Sequence, residues 1–418
     1  MPRNRTFVGF GFGPIQSALF LFEAHQSGNF SRYVVAEIDP ALVAAVRAAG
    51  GTYTLNIARR GRTDQVNVGG VELYNPLDPG DRQLVIEAVA SADEIATALP
   101  SVNFFDSPDP GSVAKVLGAG LARRSPDHQA VVYAAENHNH AAEILRERVA
   151  PYGGAGPGVQ FLNTVIGKMS GVIADPDEIR QLGLATVTPS LGRAVLVEEF
   201  NRILISRVTL SGFSRGIEVF VEKDDLLPFE EAKLYGHNAI HALIGYLAEQ
   251  RGLRTMADAA AHSDLMAIAQ AAFLEESGAA LVRKHAGLGD PLFTPEGYRA
   301  YAQDLLERMV RPNLHDLVAR VTRDPVRKLG WDDRIYGTMR LALRHGIEPA
   351  NMARGAAAAV VSLLRQRDSL KESLPLPRGA DDLDRAALER VLRAIWRGPS
   401  DPDAARLIDL TWSALQRE

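Results

Sequence analysis

The chain opens with Phe7-Val8-Gly9-Phe10-Gly11-Phe12-Gly13-Pro14, set between an apolar segment at 6–9 that reads as a strand and a helical pattern at 15–25. Glycines at a strand-to-helix junction let the backbone turn sharply. They also let N–H groups and a helix N-terminus approach a pyrophosphate. The dinucleotide spacing is G-x-G-x-x-G. Gly9 and Gly11 fit it, Gly13 comes one residue early, and Pro14 takes the third glycine position. A second strand at 33–38 carries Glu37 near its end. An acid there can hold ribose hydroxyls and repel a 2′-phosphate, favouring NAD over NADP. The candidate nucleotide contacts are Gly9, Gly11, Phe12, Gly13, Pro14, Ile15, Glu37 and Ile38. A plain tight turn with a solvated strand end would also account for them; their order and spacing favour the nucleotide.

Beyond this turn the first half alternates strand and helix. Asp39-Pro40 supplies a cap and first turn for a helix at 41–49. A short apolar segment at 103–105, a helix at 112–124 and a strand at 130–135 follow. Continuously apolar strands separated by helices predict a parallel sheet covered on both faces. From Pro228 the pattern is helical, at 229–250, 262–285, 295–309, 332–344 and 350–367. The change falls near 195–225, and the expected fold class is an α/β N-terminal domain of the Rossmann type at 1–205 plus a mainly α-helical C-terminal domain at 206–418.

Composition removes several classes. Of 418 residues, 46% are apolar and 23% charged, ordinary for a globular chain. Lys and Arg number 46 against 51 for Asp and Glu, a net charge of -5, which disfavours binding nucleic acid through its phosphates. The absence of cysteine excludes disulfides, thiolate zinc sites, iron–sulfur clusters and cysteine nucleophiles. Arg3 and Arg5 before an apolar run imitate a secretory signal, but glycines and Pro14 interrupt the run and no small-x-small cleavage site follows it. The run at 355–364 is too short to cross a bilayer. A cytoplasmic protein with no membrane or nucleic-acid partner is expected.

The segment 230–241 carries the chemistry: Glu230-Glu231-Ala232-Lys233-Leu234-Tyr235-Gly236-His237-Asn238-Ala239-Ile240-His241. On a regular helix Lys233, Asn238 and His241 fall at ~0°, ~140° and ~80°, on one side of the axis. A partly desolvated lysine can accept a hydroxyl proton near neutral pH, and an amide and an imidazole can hold an oxygen as charge develops on it. A solvated helix face is the competing account.

Lys233-x4-Asn238-x2-His241 resembles the signature of the polyol-specific long-chain dehydrogenases, the mannitol dehydrogenase family. The resemblance extends to Tyr133-Ala134-Ala135-Glu136-Asn137, Leu274-Glu275-Glu276-Ser277-Gly278, Asp324-Pro325-Val326-Arg327-Lys328-Leu329 and Asp333-Arg334. It implies a Rossmann domain, a helical domain and a metal-free site in the cleft between them. Lys233 would be the general acid/base, Asn137 and Asn238 the oxyanion hole, and His241 the group positioning the substrate oxygen. Glu136 and Asn137, at a strand end, would also touch the cofactor.

The cluster of Arg327, Lys328 and Arg334 resembles the mannitol-1-phosphate 5-dehydrogenase branch and could bind a phosphate or carboxylate; it also fits a plain salt-bridge network. Gly167-Lys168 stands where the family has Asp-Arg, so Lys168 joins the substrate candidates. His237 joins them as a further polar group beside Asn238. The function implied is hydride transfer between NAD and a secondary alcohol or ketone of a sugar-alcohol phosphate. The alternatives are a dehydrogenase of an unphosphorylated polyol, ketose or sugar acid and, more remotely, a non-catalytic NAD sensor. A monomer or homodimer is expected. His138 and His140 lack the further ligands a metal site needs. Glu275 and Glu276 point ~100° apart on a helix, too divergent for one carboxylate pair.

Overall fold

A computed structural model describes residues 5–417 except 155, 200–202, 371, 378–381 and 398–400. The chain divides into two compact units, Met1–Leu227 and Pro228–Glu418.

Among the described residues of the first unit, twelve strands run in chain order as β1 Thr6–Phe10, β2 Arg32–Ala36, β3 Tyr53–Arg59, β4 Arg62–Val68, β5 Val71–Tyr74, β6 Glu94–Thr97, β7 Ala130–Ala134, β8 Val159–Val165, β9 Ser170–Ile173, β10 Ala194–Glu198, β11 Ile203–Ser206 and β12 Phe220–Lys223. The main sheet has the order β12-β11-β8-β7-β6-β1-β2-β5. Its six strands from β5 to β8 are all parallel. Taken as the first to sixth parallel strands, they give the spatial order 3-2-1-4-5-6 of dinucleotide-binding sheets.

Every residue of β1 is buried, and alternation sends its side chains to two separate cores. Phe7 joins Leu19, Phe20 and Tyr133 on one face; Val8 and Phe10 join Val34, Ile95 and Leu117 on the other. Two buried faces require the uninterrupted apolar strands read from the sequence.

Three differences from the sequence expectation have plain physical causes. The fourth parallel strand is β6, not 103–105; there a short 3₁₀ turn, Val102–Phe104, leads into Phe105, which is buried in the core. β6 hides behind its own composition, because Glu94 and Thr97 are polar yet fully buried and hydrogen-bonded to Tyr133 and Glu136. A second sheet, β4-β3-β10-β9, is inserted in the first half, where no sheet was expected; its β4 alternates toward solvent and carries the charged Arg62 and Asp64. The first unit also runs beyond the expected division after 205, because β11 and β12 complete the main sheet.

Asp39 does cap its helix, accepting from the N–H groups of Ala41 and Leu42.

The second unit is helical. Helix Ala239–Gln250 is buried along almost its whole length and packs on helix Ala350–Arg365. The latter has no side-chain cap of its own. Glu276, buried, supplies one from elsewhere in the chain, accepting from the backbone N–H groups of Asn351 and Met352 at 2.7 and 2.9 Å. Its neighbour Glu275 is exposed, so the two carboxylates do diverge. The helical run Ser263–Leu288 is long and apolar enough to cross a membrane by those measures alone. In the fold Leu265, Ile268, Phe273 and Leu281 are core residues.

Candidate active site

The turn after β1 is bound into the sheet before any ligand arrives. Gly11 adopts φ +82°, a conformation that penalises a side chain, and a Cβ there would lie 2.9 Å from the Ala98 carbonyl oxygen. Its N–H donates to the Ala36 carbonyl of β2. Nothing lies within 4 Å of where a Gly13 Cβ would be, so that backbone is open to a close approach. Pro14 leads directly into the helical turns that follow, which suits its fixed φ and missing N–H.

A cavity of about 660 Å³ opens over this turn. Gly11, Phe12, Gly13, Pro14, Ile15, Glu37 and Ile38 all line it, with Phe104 and the 98–100 segment completing the wall. One Glu37 oxygen accepts from the Phe12 N–H at 2.7 Å and the other from the Asp39 N–H at 2.8 Å. Each oxygen keeps a lone pair for a hydroxyl donor.

Three nucleotide candidates, Gly9, Glu136 and Asn137, do not line the cavity. Gly9 makes room for the buried Gln16 side chain. Glu136 is buried and accepts from Thr97 Oγ1 at 3.0 Å and from the Leu99 N–H at 2.9 Å, with its pKa raised to about 7 by burial. It braces the cavity wall at Leu99 instead of presenting a carboxylate. Asn137 is exposed just beyond the carboxyl end of β7, and Lys168 is half-buried between β8 and β9.

In the second unit, Lys233 and Asn238 stand on a wide π-helical turn, Ala232–Asn238, that runs directly into helix Ala239–Gln250. With roughly 4.4 residues per turn, the five residues from Lys233 to Asn238 span ~50° instead of ~140°, and His241 returns to the same face. The sequence placed these three on one side of a regular helix; the wider turn draws them closer together.

Gly236 lets this turn pack closely against its neighbours. A Cβ there would lie 2.6 Å from Tyr298 Oη and 3.1 Å from the Phe273 ring. The half-buried Lys233 amine has its pKa lowered to about 8, by burial first and then by the Arg334 charge, with Glu230 opposing.

His241 Nε2 lies 2.8 Å from Asp316 Oδ2, and Arg320 holds the other Asp316 oxygen at 2.6–2.8 Å. Burial would raise the Asp316 pKa, but the His241 and Arg320 contacts outweigh it and hold the carboxyl below its ordinary value. The carboxylate can only accept, which assigns the Nε2 proton to His241 and leaves Nδ1 for a ligand.

A cavity of about 450 Å³ lies against His241. Five cations, Arg320, Arg323, Arg327, Lys328 and Arg334, line it against the single carboxylate of Asp324. Arg327 pairs with Asp324 and Asp333, and Arg334 with Asp333. Lys328 is buried, donates to the Arg323 carbonyl and has its pKa pushed down to about 7, by burial first and then by Arg334 and Arg327. The salt-bridge network and the cationic cavity are thus one structure.

His237 does not line this cavity. It is buried edge-on to His241 with ring centroids 6.3 Å apart, and its Nδ1 has no partner among the described residues. Burial and the neighbouring cationic groups push its pKa well down.

The sequence reading missed Asp316, Arg320 and Arg323. The three- and four-residue spacing of Arg320, Arg323 and Arg327 was a signal that could have found the two arginines.

Residues 225–376 match a family model described as the mannitol dehydrogenase C-terminal domain. A mannitol-1-phosphate 5-dehydrogenase of Geobacillus thermodenitrificans is 31% identical over 315 residues, 74% of this chain and 75% of that protein. Another, of Paenarthrobacter aurescens, is 28% identical over 412 residues, 96% of this chain and 98% of its own length. Among solved structures, the ternary complex of Pseudomonas fluorescens mannitol 2-dehydrogenase with NAD and D-mannitol has a TM-score of 0.73 at 16% identity, covering 99% of this chain and 91% of that one. At that identity the likeness bears on the fold alone. The sequence match across three quarters of both chains, together with the family model, makes this chain a member of the mannitol dehydrogenase family of oxidoreductases.

Proposed function

We propose that the protein is an NAD-dependent dehydrogenase interconverting the secondary alcohol and ketone of a sugar-alcohol phosphate. The observation that carries this reading is the cationic cavity against His241, beside a lysine whose amine is held near neutral pKa. Kinship with proteins named mannitol-1-phosphate 5-dehydrogenase supports the substrate class.

The first unit's turn fits NAD. Gly13 leaves room for close approach, the N-terminal helical turns begin at the cavity wall, and Glu37 can accept from ribose hydroxyls while repelling a 2′-phosphate. When bound, NAD supplies the hydride acceptor. The chain's own residues handle the rest. Lys233, deprotonated, takes the hydroxyl proton in oxidation and returns it in reduction. The Asn238 amide donates to the substrate oxygen as negative charge grows there. His241, its ring fixed by Asp316, holds the same oxygen or its neighbour through Nδ1. Asn137 keeps the second amide-donor role implied by the family pattern; its place at the carboxyl end of β7 supports this, since open α/β sheets bind ligands outside the carboxyl ends of their strands. Arg327, Lys328 and Arg334 take the phosphate, the arginines through paired N–H groups. His237 and Lys168 carry no proposed substrate contact.

The test is NADH formation, read as absorbance, on paired polyols with and without phosphate, using wild type and Arg327→Ala/Lys328→Ala. The double substitution should raise KM for the phosphorylated substrate roughly 10- to 100-fold and leave an unphosphorylated polyol nearly unaffected. Equal effects on both would move the reading to an unphosphorylated polyol.

A further inference from the structure

In a regular α-helix the Tyr235 carbonyl would accept from the N–H of Ala239, four residues on. Here that N–H bonds to the Gly236 carbonyl instead, so the wide turn deprives Tyr235 of its ordinary ladder partner. Two hydroxyls from other elements approach the oxygen. Ser277 Oγ donates to it at 2.7 Å and Thr338 Oγ1 lies 3.2 Å away. Both side chains are fully buried. Ser277 belongs to a second wide turn, Ala272–Gly278, packed on the first. Thr338 belongs to helix Tyr336–Arg344, and its Oγ1 is also 2.6 Å from the Arg334 carbonyl. One threonine hydroxyl thus sits between the Lys233 turn and the backbone of a cation that lines the cavity.

We infer that Ser277 and Thr338 are positioning residues: the Ser277 hydroxyl donates to the Tyr235 carbonyl, Thr338 shares its one proton between that carbonyl and the nearer Arg334 carbonyl, and together they keep the wide turn that puts Lys233 and Asn238 on one face. The inference rests on the catalytic reading of those two residues. The reason is an alternative the chain could otherwise take. Without the hydroxyls the part-buried carbonyl loses both side-chain partners, a cost the segment escapes by returning the Ala239 N–H to Tyr235. That change restores regular winding and rotates Asn238 from ~50° to ~140° away from Lys233. The fold survives this; the arrangement of amine and amide does not.

The experiment compares wild type, Ser277→Ala, the double variant Ser277→Ala/Thr338→Val, and Thr338→Ser, which keeps the hydroxyl. It measures kcat for polyol-phosphate oxidation, the Kd for NAD, and backbone hydrogen exchange over 232–240. The double variant should lose roughly 10- to 100-fold in kcat, as expected when reacting groups are misplaced by about an ångström. Its Kd for NAD should be unchanged and its exchange over 232–240 selectively faster. Ser277→Ala, which retains the Thr338 contact, should show smaller changes in the same direction and serves should the double variant not fold. Thr338→Ser should keep wild-type kcat and exchange. Unchanged kcat in a variant whose melting temperature falls, or unchanged exchange over 232–240, overturns the inference. Selectively faster exchange in a protein whose wild type oxidises no polyol supports the positioning role and instead removes the catalytic reading.

Discussion

Lys233→Met separates what the fold prefers from what the chemistry needs. Burial and the Arg334 charge bring the Lys233 pKa from 10.5 to about 8. At 1.36 kcal/mol per decade the displacement corresponds to about 3 kcal/mol against the ammonium form, and solvent screening at a half-buried side chain reduces this to about 2 kcal/mol. Methionine is of similar length and carries no charge, so at pH 7 the variant should be more stable by about 2 kcal/mol. Loss of the base should cost roughly 10²- to 10⁴-fold in kcat.

The sign with pH follows from a folded-state pKa lying below the unfolded one. Below about 8 the amine is protonated in both states and the penalty is complete. Between about 8 and 10.5 the unfolded chain holds a proton the folded one has released, so wild-type stability climbs with pH; above about 10.5 the difference vanishes. Urea midpoints of wild type and variant at pH 7 and pH 10 measure this. The wild type's own kcat/KM for oxidation should rise through about pH 8, where the base form appears, and that for reduction should fall there. An advantage for methionine equal at both pH values, or a variant less stable than wild type at pH 7, refutes the account of Lys233.

Two further outcomes follow from single contacts. Glu37→Ser removes both the negative charge and the acceptor of the Phe12 N–H; kcat/KM with NADP should rise at least roughly tenfold while that with NAD falls, measured as initial rates with each cofactor. Gly236→Ala places a methyl group 2.6 Å from Tyr298 Oη and should destabilise the protein by about 1–3 kcal/mol in urea titration, with Tyr298→Phe recovering part of the loss by removing that oxygen.

Local signals carried the glycine turn, the capped helix after Asp39, the parallel strands and the change to helices, because each follows from neighbouring residues. β6 was not legible, since burying Glu94 and Thr97 depends on partners 39 residues away. The inserted hairpin β3–β4 was missed because its outer strand faces water. Within the site, Lys233, Asn238 and His241 could be read from their spacing, but the sharper alignment given by the wide turn could not. That turn depends on Ser277, Thr338 and the space at Gly236, all defined by tertiary packing. Glu136 misled for a related reason: an acid at a strand end looks available to a ligand, whereas here Thr97 and the Leu99 N–H occupy it.

The basic cluster raises the question of why a cavity would keep five cations together in the absence of an anion. Asp324 and Asp333 answer for Arg327 and Arg334, and Asp316 for Arg320, so their guanidinium groups are held in place by partners that remain when a ligand enters. Lys328 differs. Its ammonium lies buried among like charges, donates to a backbone carbonyl, and has its pKa pushed down to about 7. A phosphate dianion nearby reverses the balance, favours the charged amine and draws a proton onto it. On the proposed function, binding of a phosphorylated polyol should take up a proton when the Lys328 amine is neutral, so its affinity should be greatest below about pH 7 and weaken as pH rises above it. An uncharged polyol gains nothing from that charge, and its KM should be flat across the same interval. Titrating both KM values from pH 6 to 9 in wild type and in Lys328→Met makes the comparison, since methionine removes the titrating group and should flatten the phosphate curve. A phosphate KM that keeps its pH dependence in Lys328→Met would assign the effect to the substrate's own ionisation and leave Lys328 a structural cation.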